Sequence, residues 1–358
     1  MKSIILLIWI IFIFACTSKT IDGNIYFTEK DLPSVIELAG EKYSVPELLN
    51  PKGLMIKDGL AIVFEVKSTT DDKFHIIDLE TRLHLASKGI DGLGPGEITV
   101  ISQIEDVGEE NKVWVYDPEM RIFSKFDLRD TGKLAEEQVK SPETAYYLTY
   151  TTWTSDTTLL GNTVHGWDKY IHITIEGDTL ALFGNWKDMI KNKELPNGYK
   201  EDELDANLVS NIFQGSLKGS PDKTHFIKSG ISADYIDIIN LENYSIKTVY
   251  GPTQEIPEFK IGYWDGYQMP DLGENSTTRY ADLYAGKDSF FVLFRGKPYR
   301  ELSSPDNLNR IFEFDYKGNI LNHYQLDYPV FGFAVDEENK AIYAVTVDRE
   351  PNLVRFDY

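Results

Sequence analysis

The 358-residue sequence predicts an all-β fold, and within that class a six-bladed β-propeller of four-stranded antiparallel blades. Composition is the first reason. Aromatic residues make up 13% of the chain and accompany 26 glycines and 15 prolines, a balance that favours short strands joined by turns. The second reason is a strand motif that recurs six times. The third is that the last repeat lacks a strand, which a segment near the N-terminus can supply.

The chain begins with an export signal over residues 1–15. Lys2 gives it a positive start, and the apolar run from Ile4 to Phe14 is roughly half as long as the ~20 residues that a membrane-spanning helix needs. Ile13-Phe14-Ala15-Cys16 resembles the lipobox of bacterial lipoproteins. In that family cleavage precedes the cysteine, and its thiol carries a diacylglycerol. The resemblance implies that Cys16 is the lipidated N-terminus of the mature protein, with residues 16–23 as a polar tether.

Cysteine and charge counts narrow the class of protein. Cys16 is the only cysteine, so an intramolecular disulfide cannot form. The alternative is that Cys16 is a signal-peptide cysteine with no role. With 57 acidic and 36 basic residues the net charge is −21, which argues against nucleic acid as a partner because phosphate binding requires clustered Lys and Arg. We expect the lipid, and not charge, to hold the protein on a membrane.

Six repeats account for residues 24–358, which we predict to be a single propeller domain. Each repeat carries a marker in which an apolar residue is followed by an acidic residue or Asn and then by a turn. The second positions of successive markers are separated by 49, 49, 64, 75 and 42 residues. The markers are Ile77-Asp78-Leu79-Glu80, Phe126-Asp127-Leu128-Arg129, Ile175-Glu176-Gly177-Asp178, Ile239-Asn240-Leu241-Glu242, Phe314-Asp315-Tyr316-Lys317 and Phe356-Asp357-Tyr358.

Three further strands are predicted around each marker. A run of β-branched and aromatic residues precedes it, such as Ala61 to Val66, and a hydrophilic turn precedes that run. Another run stands ahead of the turn, such as Ile101 to Val107, and a last one follows the marker, such as Ile246 to Tyr250. Four short strands repeated six times are typical of propeller blades. The alternative is a β-sandwich whose strands resemble one another by chance.

The two ends of the chain predict how the ring closes. Phe356-Asp357-Tyr358 is the marker of the sixth repeat, and the chain stops there without a fourth strand. The segment from Ser34 to Leu38 has the alternation of a strand and belongs to no repeat. We predict that this N-terminal strand completes the last blade, because a closed ring leaves no long edge exposed.

Several of these residues also resemble a known family. Ile77-Asp78-Leu79, the run Gly92-Leu93-Gly94-Pro95-Gly96-Glu97, Lys112 to Asp117 and Phe126-Asp127-Leu128 look like the TolB-like six-bladed β-propeller lipoproteins of Bacteroidota. The resemblance implies the propeller fold and an exported lipoprotein anchored in the outer membrane, on its periplasmic or its surface side. It implies no particular reaction.

The glycine-rich run 92–97 does not predict a phosphate-binding loop, because a strand and not a helix follows it. We interpret the run as a tight crossover between blades, in which Gly and Pro set the turn. Glu97 would then begin an innermost strand beside the central channel, where it could contact a polar ligand.

Motifs for catalysis and for metal binding are not found in the sequence. The six histidines show no metal-ligand spacing, there is no Gly-x-Ser-x-Gly elbow, and the single cysteine is assigned to lipidation. We therefore predict no cofactor. Carboxylates from different blades could still form a site for a divalent cation such as Ca²⁺, which spacing along the chain does not reveal.

Three long connections predict the binding face. Insertions at 184–207 and 251–275 link an outermost strand to the next innermost strand, and the loop 296–309 emerges on the same face. Aromatic rings beside Arg and carboxylates suit a sugar or a peptide. The alternative is that the aromatics pack within their own loops. The predicted ligand-binding residues are Tyr263, Trp264, Tyr267, Arg279, Tyr299, Arg300 and Glu97.

These observations predict a binding function. We expect a lipid-anchored, non-catalytic propeller that takes a small ligand, a glycan, or a peptide or protein partner on its loop-rich face. The alternative is a propeller enzyme of the lactonase or lyase type, which would use channel carboxylates and a divalent cation.

Overall fold

In the computed structural model the chain forms a six-bladed propeller, as predicted. The structure describes residues 19–21, 23–66, 71–106, 108–143, 148–164, 166–301 and 310–358. The predicted signal segment and Cys16 lie outside the described residues.

The strands are short and closely spaced, as a sequence rich in turns and in β-branched and aromatic residues favours. In chain order they are β1 (Lys19–Ile21), β2 (Asn24–Tyr26), β3 (Val35–Leu38), β4 (Gly40–Lys42), β5 (Pro51–Lys57), β6 (Leu60–Glu65), β7 (Asp72–Asp78), β8 (His84–Ile90), β9 (Gln103–Asp106), β10 (Lys112–Asp117), β11 (Ile122–Asp127), β12 (Glu137–Lys140), β13 (Leu148–Ser155), β14 (Thr158–Thr163), β15 (Asp168–Thr174), β16 (Thr179–Asn185), β17 (Gly215–Gly219), β18 (His225–Gly230), β19 (Tyr235–Asn240), β20 (Ser245–Tyr250), β21 (Lys260–Trp264), β22 (Tyr267–Asp271), β23 (Thr277–Ala285), β24 (Ser289–Pro298), β25 (Arg310–Asp315), β26 (Ile320–Leu326), β27 (Val330–Asp336), β28 (Ala341–Thr346) and β29 (Leu353–Asp357). The α-helix found in the described part of the chain is α1 (Ala206–Ile212).

Each blade is built on antiparallel strands that follow one another in chain order. Blade 1 is β5 to β8, blade 2 is β9 to β12 and blade 3 is β13 to β16. Blade 4 contains β17 to β20, blade 5 contains β23 to β26, and blade 6 contains β27 to β29. The remaining pair, β21 and β22, forms a separate hairpin. The blades coincide with the six predicted repeats.

The N-terminal segment runs across three successive blades. β2 pairs in parallel with β20 of blade 4, β3 in parallel with β26 of blade 5, and β4 antiparallel with β29 of blade 6. β1, which covers part of the stretch predicted as a tether, pairs antiparallel with β2. An N-terminal strand therefore completes the last blade, as predicted.

The closing strand is β4, and the prediction that the segment from Ser34 to Leu38 closes the ring is wrong. That segment supplies β3, which adds a fifth strand to blade 5. In β4, Gly40 lies opposite Phe356, and a Cβ on residue 40 would be 2.6 Å from Val354 Cγ2. The alternating apolar pattern of residues 34–38 is compatible with the outer edge of blade 5 and with that of blade 6. At the edge of blade 6, however, the close approach to Val354 favours glycine. The alternating pattern alone therefore could not predict which blade the segment joins.

Apolar packing between neighbouring blades holds the ring together. One cluster of buried residues joins Ile236 of blade 4 to Phe290 of blade 5, and another joins Leu293 of blade 5 to Ile342 of blade 6. Comparable clusters lie between the other adjacent blades. Because both faces of a blade are covered, a strand such as β6 is buried along its whole length.

The two ends of the propeller carry different connections. The fourth strand of a blade ends at the level where the first strand of the next blade begins, so all first strands run in the same direction. Turns between first and second strands, such as Asp58-Gly59, share one end, which we call the turn face. Connections between blades share the other end, which we call the crossover face. Of the helices in the described ranges, none is long and apolar enough to cross a membrane.

Candidate functional site

The two predicted insertions are crossovers, as expected. The first links β16 to β17 and contains three short 3-10 helices, Trp186–Met189, Pro196–Gly198 and Glu201–Glu203, followed by α1. The second links β20 to β23 and contains the β21–β22 hairpin. Both therefore lie on the crossover face.

Most apolar side chains of the insertions pack on one another. Trp186 is fully buried, Phe259 is 2% exposed, and both belong to a cluster that also contains Leu208 of α1. The rings of Tyr199 and Phe259 stack with their centroids 5.5 Å apart. For these residues the alternative interpretation holds, since the aromatics form a local core for their own loops.

The hairpin tip is different. Tyr263 is 71% exposed, Trp264 is 77% exposed and Tyr267 is 54% exposed. We call these three residues the aromatic tip. The turn between the strands is Asp265-Gly266, with φ angles of 48° and 84°, and two positive φ values are typical of the type I′ turns that join tight hairpins.

Helix α1 and the residue that precedes it support this hairpin through hydrogen bonds. The Asn207 side-chain amide donates a hydrogen bond of 2.7 Å to the Gln268 carbonyl oxygen. The Gln268 side-chain oxygen accepts one of 3.0 Å from the Asp205 backbone N–H. The aromatic tip is thus apolar surface held on a supported hairpin.

The other predicted crossover-face residues belong to different elements from the tip. Arg279, in the first half of β23, is 8% exposed, and its guanidinium lies 2.9 Å from the Glu255 carboxylate. Arg300 is exposed in the 3-10 turn Tyr299–Glu301 that follows β24. Residues 302–309 of that loop lie outside the described residues.

The prediction that Glu97 lies beside the channel is wrong. Its Oε2 accepts a hydrogen bond of 2.6 Å from Gly94 N, so the carboxylate caps its own turn. Gly96 N donates to the side chain of Gln138 in β12, the outermost strand of blade 2. A crossover starts at the outer edge of a blade, and the innermost strand begins only at Gln103. Glu97 therefore lies at the periphery.

The central channel contains a cavity that sequence reasoning missed. It has a volume of about 380 Å³, within the usual range of roughly 300–1,000 Å³ for small-molecule sites. All six first strands line it, which places it on the propeller axis. The turn residues Asp156 and Pro221 also line it, so it lies at the turn face, opposite the insertions. Its polar and aromatic lining includes Gln103, Glu105, Trp153, Lys218, Lys223 and Tyr284.

Glu105 is the most constrained of these groups. Its Oε2 accepts hydrogen bonds from Thr152 Oγ1 at 2.6 Å and from Trp153 N at 3.2 Å. The Lys223 ammonium lies 3.6 Å from the same oxygen. Burial raises the pKa of the Glu105 carboxyl, and the positive charge of Lys223 partly opposes that shift.

Three buried polar atoms on residues that line the cavity have no hydrogen-bond partner among the described residues. They are the Oε1 of Glu105, the Nε2 of Gln103 and the indole Nε1 of Trp153. An unsatisfied buried polar group costs about 1–3 kcal/mol, so native proteins satisfy nearly all of them. All three atoms belong to residues that line this one cavity.

Aromatic rings and further charges complete the wall. The indoles of Trp114 and Trp153 stack with their centroids 5.4 Å apart. Lys218 forms an ion pair of 2.7 Å with Asp282 of β23. The cavity therefore combines apolar ring surface with groups that donate and accept hydrogen bonds.

The sequence signal for this cavity is weak. Each first strand contributes only one to a few residues to the lining, and these strands are separated along the chain by whole blades. The single local hint is Gln103-Ile104-Glu105, in which polar residues alternate with an apolar one on an innermost strand.

Comparisons with solved structures agree with the fold. A Bacteroides fragilis protein named as exported has a TM-score of 0.53 at 12% identity, over 92% of this chain and 98% of that chain. A DUF4221 family member from Bacteroides vulgatus has a TM-score of 0.54 at 9% identity, over 90% of this chain and 96% of that chain. At such identities the similarity shows the fold alone. No match is found among curated proteins.

The family comparison covers most of the chain. The model described as TolB-like 6-blade propeller-like matches residues 27–338, from the N-terminal strands into blade 6. This span includes the channel residues, both insertions and the glycine-rich run 92–97. The chain therefore belongs to the TolB-like six-bladed propeller family.

Proposed function

We propose that this protein is a lipid-anchored, non-catalytic propeller of the cell envelope that binds a small polar ligand in its central channel. The observation that carries the proposal is a set of buried atoms on three cavity-lining residues, Glu105, Gln103 and Trp153, that have no partner in the part of the chain that the structure describes. The site differs from the sequence prediction, which placed the ligand among the loops of the crossover face.

The wall of the cavity favours a polyhydroxylated ligand of about the size of a sugar. Gln103 Nε2 and Trp153 Nε1 are donors that need an acceptor, whereas an ionised Glu105 Oε1 needs a donor. A hydroxyl group can do either, so one such molecule can satisfy all three. The apolar face of a sugar ring also packs well on aromatic side chains such as Trp153.

Calorimetric titration of the mature protein with a panel of monosaccharides and disaccharides tests this proposal. We expect one of them to bind with a stoichiometry of one. Glu105→Gln and Gln103→Leu should each weaken its binding by ~10-fold or more, since a hydrogen bond to a charged or buried group is worth about 1–3 kcal/mol. Trp264→Ala, on the opposite face, is the matched control and should bind as wild type. Unchanged affinity in both channel variants would reject the channel as the site.

Lipid anchoring at Cys16 rests on the lipobox-like sequence and on the export signal that precedes it. Replacing Cys16 with Ala removes the thiol that would carry the diacylglycerol. We expect this variant to leave the membrane fraction of the cells. Tight membrane association of Cys16→Ala would contradict the anchor.

Elemental analysis separates binding from the enzyme alternative. Within the described ranges, no group of three or more His, Cys, Asp or Glu residues is arranged to hold a metal ion. We expect purified protein to contain no stoichiometric Ca, Zn or Mn. A stoichiometric divalent cation that is lost in Glu105→Gln would instead favour a lactonase or lyase type of site in the channel.

A further inference from the structure

We infer that the crossover face lies against a phospholipid bilayer, with the aromatic tip inserted at the membrane interface. The inference rests on the proposed lipid anchor at Cys16 and adds to it a second membrane contact and an orientation. It comes from where the described chain begins and from the exposed side chains of one hairpin.

The pairing of the first two strands places the N-terminus on the crossover face. β2 runs parallel to β20, with Tyr26 opposite Tyr250 at the end of that strand. β1 returns antiparallel along β2, so Lys19 lies opposite Tyr26. Lys19 is therefore at the crossover end of blade 4. Only Thr17 and Ser18 separate it from Cys16, so the two Cα atoms are three steps and at most about 10–11 Å of extended chain apart.

The aromatic tip leaves the same blade from the same end. Tyr250 ends β20, and the crossover that starts there carries the β21–β22 hairpin. The lipid of Cys16 and the aromatic tip thus both belong to the crossover end of blade 4. A membrane that holds the lipid lies on the side of the molecule on which the tip is exposed.

The chemistry of the tip suits this position. Tyr and Trp combine an apolar ring with a polar group and concentrate where membranes meet water. Trp264 and Tyr267 are directly opposite each other across the hairpin, so their exposed rings form one surface. Attraction to anionic lipid is not the cause, because the protein carries a net charge of −21. We assign the attraction instead to burial of the aromatic rings at the membrane interface.

This orientation leaves the channel cavity accessible to ligand. The cavity lies at the turn face, opposite the insertions, and would point away from the bilayer. The lipid alone fixes the protein to a membrane without fixing its orientation. The second contact would keep the mouth of the cavity in the aqueous phase.

Site-specific fluorescence on the lipidated full-length protein tests the inference. Because lipidation consumes the single native thiol, an introduced cysteine can be labelled selectively. Tyr263→Cys places an environment-sensitive dye at the tip, beside the intact Trp264 and Tyr267. Glu338→Cys, on an exposed turn of the turn face, is the matched control. Both proteins are reconstituted into vesicles of phosphatidylethanolamine and phosphatidylglycerol that contain brominated phospholipid.

We expect the dye at residue 263 to shift to the blue, to be quenched by brominated lipid and to be protected from iodide in solution. The dye at residue 338 should show no blue shift, should not be quenched by brominated lipid and should be accessible to iodide. Adding Trp264→Ser and Tyr267→Ser to the Tyr263→Cys protein should abolish the blue shift while the protein stays on the vesicles.

Two outcomes would overturn the inference, and they are distinguishable. If both dyes are equally accessible to iodide on vesicle-bound protein, the anchor stands but the tip does not contact lipid and is available to a protein or glycan partner. If both proteins float free of the vesicles, the anchor itself fails, and this orientation fails with it.

Discussion

Glu105 illustrates how burial of a single carboxylate can be costly to the folded state. Its carboxylate is nearly buried; one oxygen accepts hydrogen bonds from Thr152 and Trp153, and the other has no partner among the described residues. Burial raises its pKa, so the folded protein favours the protonated form more than the unfolded chain does. Sites that bind ligands commonly keep such unsatisfied groups at the expense of stability.

The pH dependence of stability should reveal this cost. Below the ordinary pKa of a glutamate, Glu105 is protonated in both states and contributes no difference. As the pH rises from there towards the raised pKa, the unfolded chain loses its proton first, so the folded state loses stability. Over this pH range we expect the free energy of unfolding of the wild type to fall relative to that of Glu105→Gln. Urea denaturation at a series of pH values measures the difference.

Glu338→Gln, on an exposed turn, is the matched control for the loss of a carboxylate. A constant difference between wild type and Glu105→Gln across the window would show that Glu105 is not destabilised by burial.

Exposed and buried aromatics of the same insertion should differ sharply. Phe259→Ala removes a ring from the insertion core and should lower the free energy of unfolding by about 3–5 kcal/mol. Trp264→Ala removes an exposed ring and should change it by no more than about 0.5 kcal/mol. Chemical denaturation of both variants measures the contrast. A loss in Trp264→Ala as large as that in Phe259→Ala would mean that the tip packs against the protein.

At the level of strands, the N-terminal segment contributes one strand to each of three blades. β2, β3 and β4 are added to blades 4, 5 and 6 in turn, so a short stretch of sequence covers three outer edges. Only in blade 6 does the added strand replace a missing fourth strand. There Gly40 fits against Val354, Phe356 and Tyr328 with no space for a side chain.

Gly40→Val should therefore destabilise the closing strand. A Cβ on residue 40 would lie 2.7 Å from the Phe356 ring and 2.9 Å from Tyr328, so the strand must shift. Overpacking of this kind costs typically about 1–3 kcal/mol. Ala39→Val, at the exposed neighbouring position, is the control and should cost no more than about 0.5 kcal/mol. Equal melting temperatures for the two variants would contradict the close packing at Gly40.

Across the full ring, stability depends on contacts between blades that are distant in sequence. Each inter-blade cluster joins one blade to the next, and blade 6 returns to blade 1 through Tyr343 and Ala61. Because β4 belongs to blade 6 and precedes blade 1 in the chain, it links the two ends of the ring. A closed ring of this kind should unfold as one cooperative unit.

Two truncations of the mature protein test cooperative closure. Removing residues up to 33 deletes β1 and β2, whereas removing residues up to 42 also deletes β3 and β4. We expect the longer truncation to melt at a much lower temperature, because it exposes the edge of β29 and the apolar side chains beneath β4. Both should unfold in a single calorimetric transition. Equal melting temperatures, or a separate transition for blade 6, would argue against closure by β4.

Much of the fold could be predicted from the sequence because its causes are local and periodic. The recurring markers, such as Phe126-Asp127 and Phe314-Asp315, end the third strands β11 and β25. Strand propensity, turn residues and repeat length act within a blade, so six blades and two enlarged crossovers can be recognised along the chain. The missing fourth strand of the last repeat also predicts that the N-terminal region closes the ring.

The tertiary structure alone decided which N-terminal strand closes the ring, where Glu97 lies and where a cavity forms. Glu97 is close in sequence to β9, but a crossover starts at the outer edge of a blade, so proximity along the chain does not bring it to the channel. The cavity gathers Glu105, Lys218 and Tyr284 from three blades. Their distances depend on how six twisted sheets pack around an axis, and no periodic pattern along the sequence records that packing.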